Sequence, residues 1–261
     1  MALATVVSAH AQDAMGAGSV NLEDLTWTEL REQVRTGSTT ILVPIGGTEQ
    51  NGPYMALGKH NVRARLLAER IARTLGHALV APVVAYVPEG RIDPPTAHMR
   101  FPGTITVPEP VFEAMLESAA QGFKQHGFKR IVFLGEHGGY QQSLKRVEAK
   151  LNRQWAATSV RAHAIEAYYR AAQVDFAAEL QRRGYTREEI GTHAGLLDTS
   201  LSMALAPNLV RAERLHVASK PTLAEGAYGD PRRASPELGR LGIDIIVRET
   251  VQAIRQVAGA P

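Results

Sequence analysis

Two apolar runs that end in glycine, each with a helical stretch behind it, restrict the fold of this chain more than any other feature. They are "TTILVPIGG" at 39–47 and "KRIVFLGEHGGY" at 129–140. Each carries an unbroken apolar run, ILVPI at 41–45 and IVFL at 131–134, instead of alternating, as in a strand buried on both faces of a parallel sheet. The stretches "ALVAPVVAYVP" (78–88) and "SVRAHAIEAY" (159–168) also read as strands. Helical patterns occupy 61–76, 108–127, 141–157 and 173–184; a loop runs into a helix over 193–207, and a long helix closes the chain over 235–259. A further helix, N-capped by Asp24 or Thr26, covers 21–37. Strands alternating with such helices build βαβ units, so the pattern predicts an α/β fold in one domain over 21–261, with a mainly parallel central sheet and helices on both faces.

A chain of 261 residues buries roughly three quarters of its unfolded surface and needs no covalent staple. It contains no cysteine, which excludes disulfides, thiolate zinc sites and cysteine nucleophiles. Its 29 basic and 26 acidic residues are scattered, which argues against nucleic acid as a partner. No apolar run approaches the roughly 18 residues of a membrane span. Residues 1–20 stand apart from the fold. "ALATVVSAHAQDA" resembles the back half of a secretory signal, with Ala9-His10-Ala11 as an A-x-A-like cleavage pattern. That reading predicts a periplasmic or secreted protein; a disordered Ala-rich start is the alternative, and leaves the protein in the cytoplasm.

Open parallel sheets bind ligands beyond the carboxyl ends of their strands. The first strand runs into "GGTEQNGPYMALGKHN", with Glu49 near one end and His60 near the other; the strand at 131–134 runs into "GEHGGY", with Glu136 and His137. Glu49, His60 and His137 therefore converge at one sheet edge. One carboxylate and two imidazoles suit Zn²⁺, Fe²⁺ or Mn²⁺ and leave positions open for water.

Five segments, in order, resemble the creatininase family. "PIGGTEQNGPYMALGKHN" is similar to its G-S/T-x-E-Q-H-G-P-H-L-P-L-x-T-D signature, and "FLGEHGGY" to its N-G-H-G-G-N stretch. "HMRFPGTITV", "THAGLLDTSLSMAL" and "GDPRRASPELG" resemble its H-x-x-F-P-G-T-I-S-L, H-A-G-x-x-E-T-S and G-D-P-x-x-A-S-x-E-x-G segments. Together they cover most of 39–245. The resemblance implies a three-layer α/β/α sandwich, metal-dependent hydrolysis of C–N bonds in amides, and ring-shaped homo-oligomers, commonly hexamers. By position, the family's ligands fall on Glu49, Asn51, His60, His137 and Asp198, with His193 and His98 beside the site.

The chain departs from the pattern where chemistry is concerned. Asn51 stands in place of a histidine ligand and His60 in place of an aspartate that often bridges two metals. Asp198 replaces a glutamate, and Tyr54 and Tyr140 replace a histidine and an asparagine. An imidazole offers one free lone pair and cannot bridge two cations as a carboxylate does. The expectation is a single ion, Zn²⁺ with Mn²⁺ or Fe²⁺ as alternatives, on Glu49, His60 and His137, with Asp198 as fourth ligand or supporting partner. Water activated there attacks the carbonyl of a small, non-peptide amide or lactam. Glu136 is the candidate base, and His193 assists the leaving nitrogen. Asn51, Tyr54, His98, Tyr140 and Arg100 are expected to line the pocket. The only tryptophans are Trp27 and Trp155, away from the H-A-G segment, which argues against creatinine as substrate. A non-catalytic small-molecule binder and a peptidase-like maturation factor are the alternative readings.

Overall fold

A computed structural model describes residues 18–215 and 219–259. Four parallel strands form the sheet: β1 (Thr40–Ile45), β2 (Ala78–Val80), β3 (Arg130–Gly135) and β4 (Arg161–Ala164), in the order β2-β1-β3-β4. Thr40 pairs with Ala78 and Arg130, Ile45 with Gly135, and Arg130 with Arg161. The two runs that read most clearly as buried strands are the central pair.

The longer helices are α1 (Trp27–Arg35), α2 (Lys59–Leu75), α3 (Glu109–Gln125), α4 (Gln141–Gln154), α5 (Glu166–Arg170), α6 (Phe176–Arg182), α7 (Leu196–Leu205) and α8 (Pro236–Gly259), with single helical turns at Arg187–Ile190 and Ala212–Leu215. They cover the sheet on both faces because strand side chains alternate. Leu42, Val132 and Leu134 enter a core with Leu67 and Ile71 of α2, Leu201 of α7 and Ile246 of α8. Ile41, Val43, Ile131 and Phe133 enter a second core with Phe112 and Leu116 of α3 and Leu144 of α4. The result is a three-layer α/β/α sandwich with a parallel core.

Several boundaries differ from the pattern. Only Ala78–Val80 of the 78–88 stretch joins the sheet as a regular strand, because Pro82 has no N–H to donate to a ladder. Beyond it, Val84 makes one isolated bridge to Ile45. The 159–168 stretch turns helical at Glu166, and α5 continues through a π turn, Ala171–Asp175, into α6. In the 21–37 stretch a 3-10 turn, Leu22–Asp24, precedes α1, and Thr26 caps α1 in a reciprocal capping box with Glu29. The signal-like stretch through residue 17 lies outside the described residues.

Candidate metal centre

Glu49 stands at the middle of the site, fully buried in the loop after β1. That loop turns at Gly47, whose φ of 146° suits glycine. A Cβ there would lie 2.6 Å from Glu89 Oε1, so the missing side chain also admits Glu89 to the site. The "FPGTITV" segment holds the opposite wall. Thr106 Oγ1 accepts the Glu89 N–H at 2.9 Å, and Thr104 Oγ1 accepts the Gln50 N–H at 3.2 Å and donates to His98 O at 2.9 Å.

Four imidazoles surround the Glu49 carboxylate. His60 Nε2 lies 2.8 Å from Oε1 and His193 Nδ1 3.5 Å from it. His98 Nε2 and His137 Nε2 lie 3.3 and 3.5 Å from Oε2. His137 Nε2 is also 3.8 Å from Glu89 Oε2. The Gln50 amide nitrogen donates to His98 Nδ1 at 3.0 Å and to the Gly226 carbonyl at 3.1 Å, which orients the His98 ring. The Gly139 N–H donates to His137 Nδ1 at 3.1 Å, so the neutral ring carries its proton on Nε2, facing Glu49, and an ion held by Nε2 would shift that proton to Nδ1.

Burial favours the neutral form of Glu49, but the His60 hydrogen bond and the charges of His60, His137 and Lys59 hold its carboxyl well below the usual range. Glu89 is the reverse case: burial and the neighbouring Glu49 carboxylate push it up to about 10. Two carboxyl groups thus share one pocket with a single negative charge between them. Burial also pushes His137 down to about 4 and His193 down to about 3, so both rings are neutral at pH 7.

This donor set fits a cation. With both groups ionised, Glu49 Oε2 and both Glu89 oxygens are buried without a hydrogen-bond partner, which is costly unless a proton on Glu89 or a cation meets them. One ligand atom from each of Glu49, Glu89, His98 and His137 lies within 4.8 Å of all the others. Their 3.3, 3.5 and 3.8 Å contacts are long for hydrogen bonds. Ligands about 2.1 Å from one tetrahedral ion stand about 3.4 Å apart, which matches.

Behind this face lies a buried ionic layer. Arg63 contacts Asp198 Oδ1 at 2.7 Å and Glu136 Oε1 at 2.6 Å, and Lys59 contacts Asp198 Oδ2 at 2.8 Å. Tyr168 donates its hydroxyl to Glu136 Oε2, and the Ala194 N–H donates to Asp198 Oδ2 at 3.0 Å. Burial opposes ionisation of Glu136, but Arg63 and then His60 and Tyr168 hold its carboxyl below the usual range.

The structure brings Glu49, His60, His98, His137 and His193 together, and it corrects several expectations. Asp198 borders the cavity as the supporting partner and not the fourth ligand, because both its oxygens are committed to Lys59, Arg63 and the Ala194 N–H. Glu136 lines the cavity but is an ion-paired carboxylate of lowered basicity, a poor proton acceptor. The Asn51 amide braces its own loop, donating to the carbonyls of Glu49 and Ala56 at 2.9 Å each. Tyr140 is fully buried and shares its one hydroxyl proton between the carbonyls of Ile45 and Gly46 while its oxygen accepts the His137 N–H at 3.0 Å; it clamps two strand ends and does not border the cavity over the cluster. Tyr54 packs on the core below Arg214, and neither it nor Arg100 borders the cavity. His60 sits in the first turn of α2 and holds the Glu49 oxygen that faces away from His98 and His137.

Sequence reasoning missed Glu89, Lys59 and Arg63. Glu89 follows an apolar run just as Glu49 and Glu136 do, and that repetition was the available signal. Arg63 precedes Leu67 and Ile71 at four-residue steps, so a charge stands on the buried stripe of α2. A cavity of about 280 Å³ opens over the cluster, lined by His60, His98, His137, His193, Tyr169 and Tyr228 among others.

Comparison with known proteins finds relatives along most of the chain. The family model for creatininase, described as creatinine amidohydrolase, matches residues 23–254. The chain is 26% identical over 262 residues to creatinine amidohydrolase of Pseudomonas putida, covering 91% of this chain and 97% of that protein. It is 26% identical over 238 residues to the mycofactocin precursor peptide peptidase of Mycolicibacterium smegmatis, covering 81% of this chain and 83% of the other. A crystal structure of creatininase matches with a TM-score of 0.78 at 24% identity, over 94% of this chain and 100% of that one.

Proposed function

The chain belongs to the creatininase family, and from that premise we propose that it is a metal-dependent amidohydrolase that cleaves a C–N bond of a small amide. The observation that carries this reading is the pair of buried carboxylates, Glu49 and Glu89, whose unpartnered oxygens face the Nε2 atoms of His98 and His137. These four residues would hold the ion. A divalent cation there, Zn²⁺ or Mn²⁺, supplies Lewis acidity, polarising a carbonyl and lowering the pKa of water.

The chain's own residues do the rest. His60 fixes the Glu49 carboxylate from behind. His137 and His98 are the more open members, their side chains 20% and 16% exposed, so substrate approaches from their side. Tyr169, Gln173, Thr192 and Tyr228 border the cavity and present polar groups to an amide. His193 points Nε2 at the Gln50 carbonyl, 2.9 Å away, which directs its N–H there and leaves the Nδ1 lone pair on the Glu49 side. Burial keeps the ring neutral and lowers its basicity to about 3, so its place beside Glu49 suits it to orient the substrate amide and not to accept the proton of the attacking water.

A cavity of about 280 Å³ favours a small amide or lactam. The restriction to non-peptide bonds has no support among the relatives, one of which is a peptide peptidase; the bond class is therefore an amide of either kind. Self-association into rings and export are parts of the same reading, tested by light scattering and cell fractionation.

The deciding experiment strips the protein with a chelator, reloads it with Zn²⁺ or Mn²⁺, and measures amine release from a panel of lactams, linear amides and short peptides. Hydrolysis that vanishes on stripping and returns on reloading supports the reading. A fully loaded protein that binds members of the panel and cleaves none favours a binding role.

A further inference from the structure

The charges buried around the site divide into two unequal halves. Four carboxylates take part, Glu49, Glu89, Glu136 and Asp198, and each is 4% exposed or less. Two fixed cations lie among them, Lys59 and Arg63, both wholly buried. Both are committed to one half. The Arg63 guanidinium spans Glu136 and Asp198, and the Lys59 ammonium holds the other oxygen of Asp198. Glu49 and Glu89 meet only imidazoles among the described residues, and His60 stands between the halves, 2.8 Å from Glu49 and 3.8 Å from Glu136.

We propose that Lys59 and Arg63 limit this site to one divalent cation by occupying Glu136 and Asp198 with charges carried by the chain itself. The proposal rests on the metal-site reading above. With all four groups ionised, four carboxylates less two fixed cations leave two negative charges, those of Glu49 and Glu89, and one divalent ion that displaces the Glu89 proton cancels them. A second ion beside Glu136 and Asp198 would have to break the contacts of the Arg63 guanidinium and the Lys59 ammonium with these carboxylates, leaving buried cations without their ion-pair partners. The planar fork of Arg63 joins two carboxylates as a shared cation would. Lys59 and Arg63 lie four residues apart in the first turns of α2, on the inward side, so one helix delivers both charges and His60 between them.

The test is metal stoichiometry. The full chain is stripped, reloaded with excess Zn²⁺, desalted, and analysed by mass spectrometry for ions per chain, with melting temperature followed in parallel. The wild type is expected to hold one ion. Two ions on the wild type overturn the proposal and leave the metal site standing; none overturns the metal site itself and the proposal with it. The double variant Lys59→Met, Arg63→Met is expected to hold two ions and to gain more melting temperature from Zn²⁺ than the wild type does. One ion with an unchanged thermal response overturns the proposal. Arg63→Lys keeps a charge in place and is expected to hold one ion. The wild-type stoichiometry decides the question even where the double variant does not fold.

Discussion

His60 Nε2 lies 2.8 Å from Glu49 Oε1, and both side chains are buried. This contact occupies the carboxylate oxygen that His98 and His137 do not face, so His60 orients Glu49 toward them. His60→Ala is therefore expected to weaken metal binding about 10–100-fold, as for the loss of a group that orients a ligand. His98→Ala, His137→Ala and Glu89→Gln are expected to weaken it further. Titration calorimetry with Zn²⁺ separates the two classes; a His60 variant that loses all metal while Glu89→Gln keeps its full content reverses the assignment.

Glu89 retains its proton at neutral pH because it is buried beside the Glu49 charge. A cation that binds there must displace that proton. Zn²⁺ uptake near pH 7 should release about one proton, and affinity should rise about tenfold per pH unit toward the Glu89 value of about 10. Calorimetry in buffers of different ionisation enthalpy counts the protons. Glu89→Gln should abolish most of the release.

The metal-free protein should be most stable near pH 6.5. The raised Glu89 means that the folded state binds an extra proton between its ordinary value of about 4.5 and about 10, so stability grows as pH falls through that range. The depressed His137 and His193, at about 4 and about 3, act oppositely. Below about 6.5 the unfolded chain takes up protons that these rings refuse, and stability is lost at about 1.4 kcal/mol per pH unit for each group. Two histidines outweigh one glutamate. Urea unfolding in chelator from pH 5 to 9 should trace a maximum, and His193→Gln should flatten its acid side.

The close packing of α7 on α8 depends on Gly239, where an added Cβ would lie 2.0 Å from the Ser200 carbonyl oxygen. Gly239→Ala must push the two helices apart and should cost about 1–3 kcal/mol or more. Gly122 in α3 is the control. Nothing lies within 4 Å of a Cβ there, and Gly122→Ala should stabilise by up to about 1 kcal/mol through helix propensity alone. Denaturant midpoints check both.

Much of the architecture was legible along the chain. The runs at 39–47 and 129–140 are apolar on both faces, and only a central parallel strand buries both. That alone placed Glu49 and His137 at the same sheet edge, because parallel strands end on the same side. Capping by Thr26 and the extents of α2, α3 and α8 followed from periodicity and end signals, which act over a few residues. The order of strands, the entry of Glu89 past Gly47, and the commitment of Asp198 to Lys59 and Arg63 were decided only by the folded chain. Asp198 is 139 residues from Lys59 and 135 from Arg63. A one-dimensional pattern records which side chains can carry charge or bind a cation. Which of them are matched to each other, and which are left for an ion, depends on distances of a few ångströms that exist only once the sheet has brought its loops to one edge.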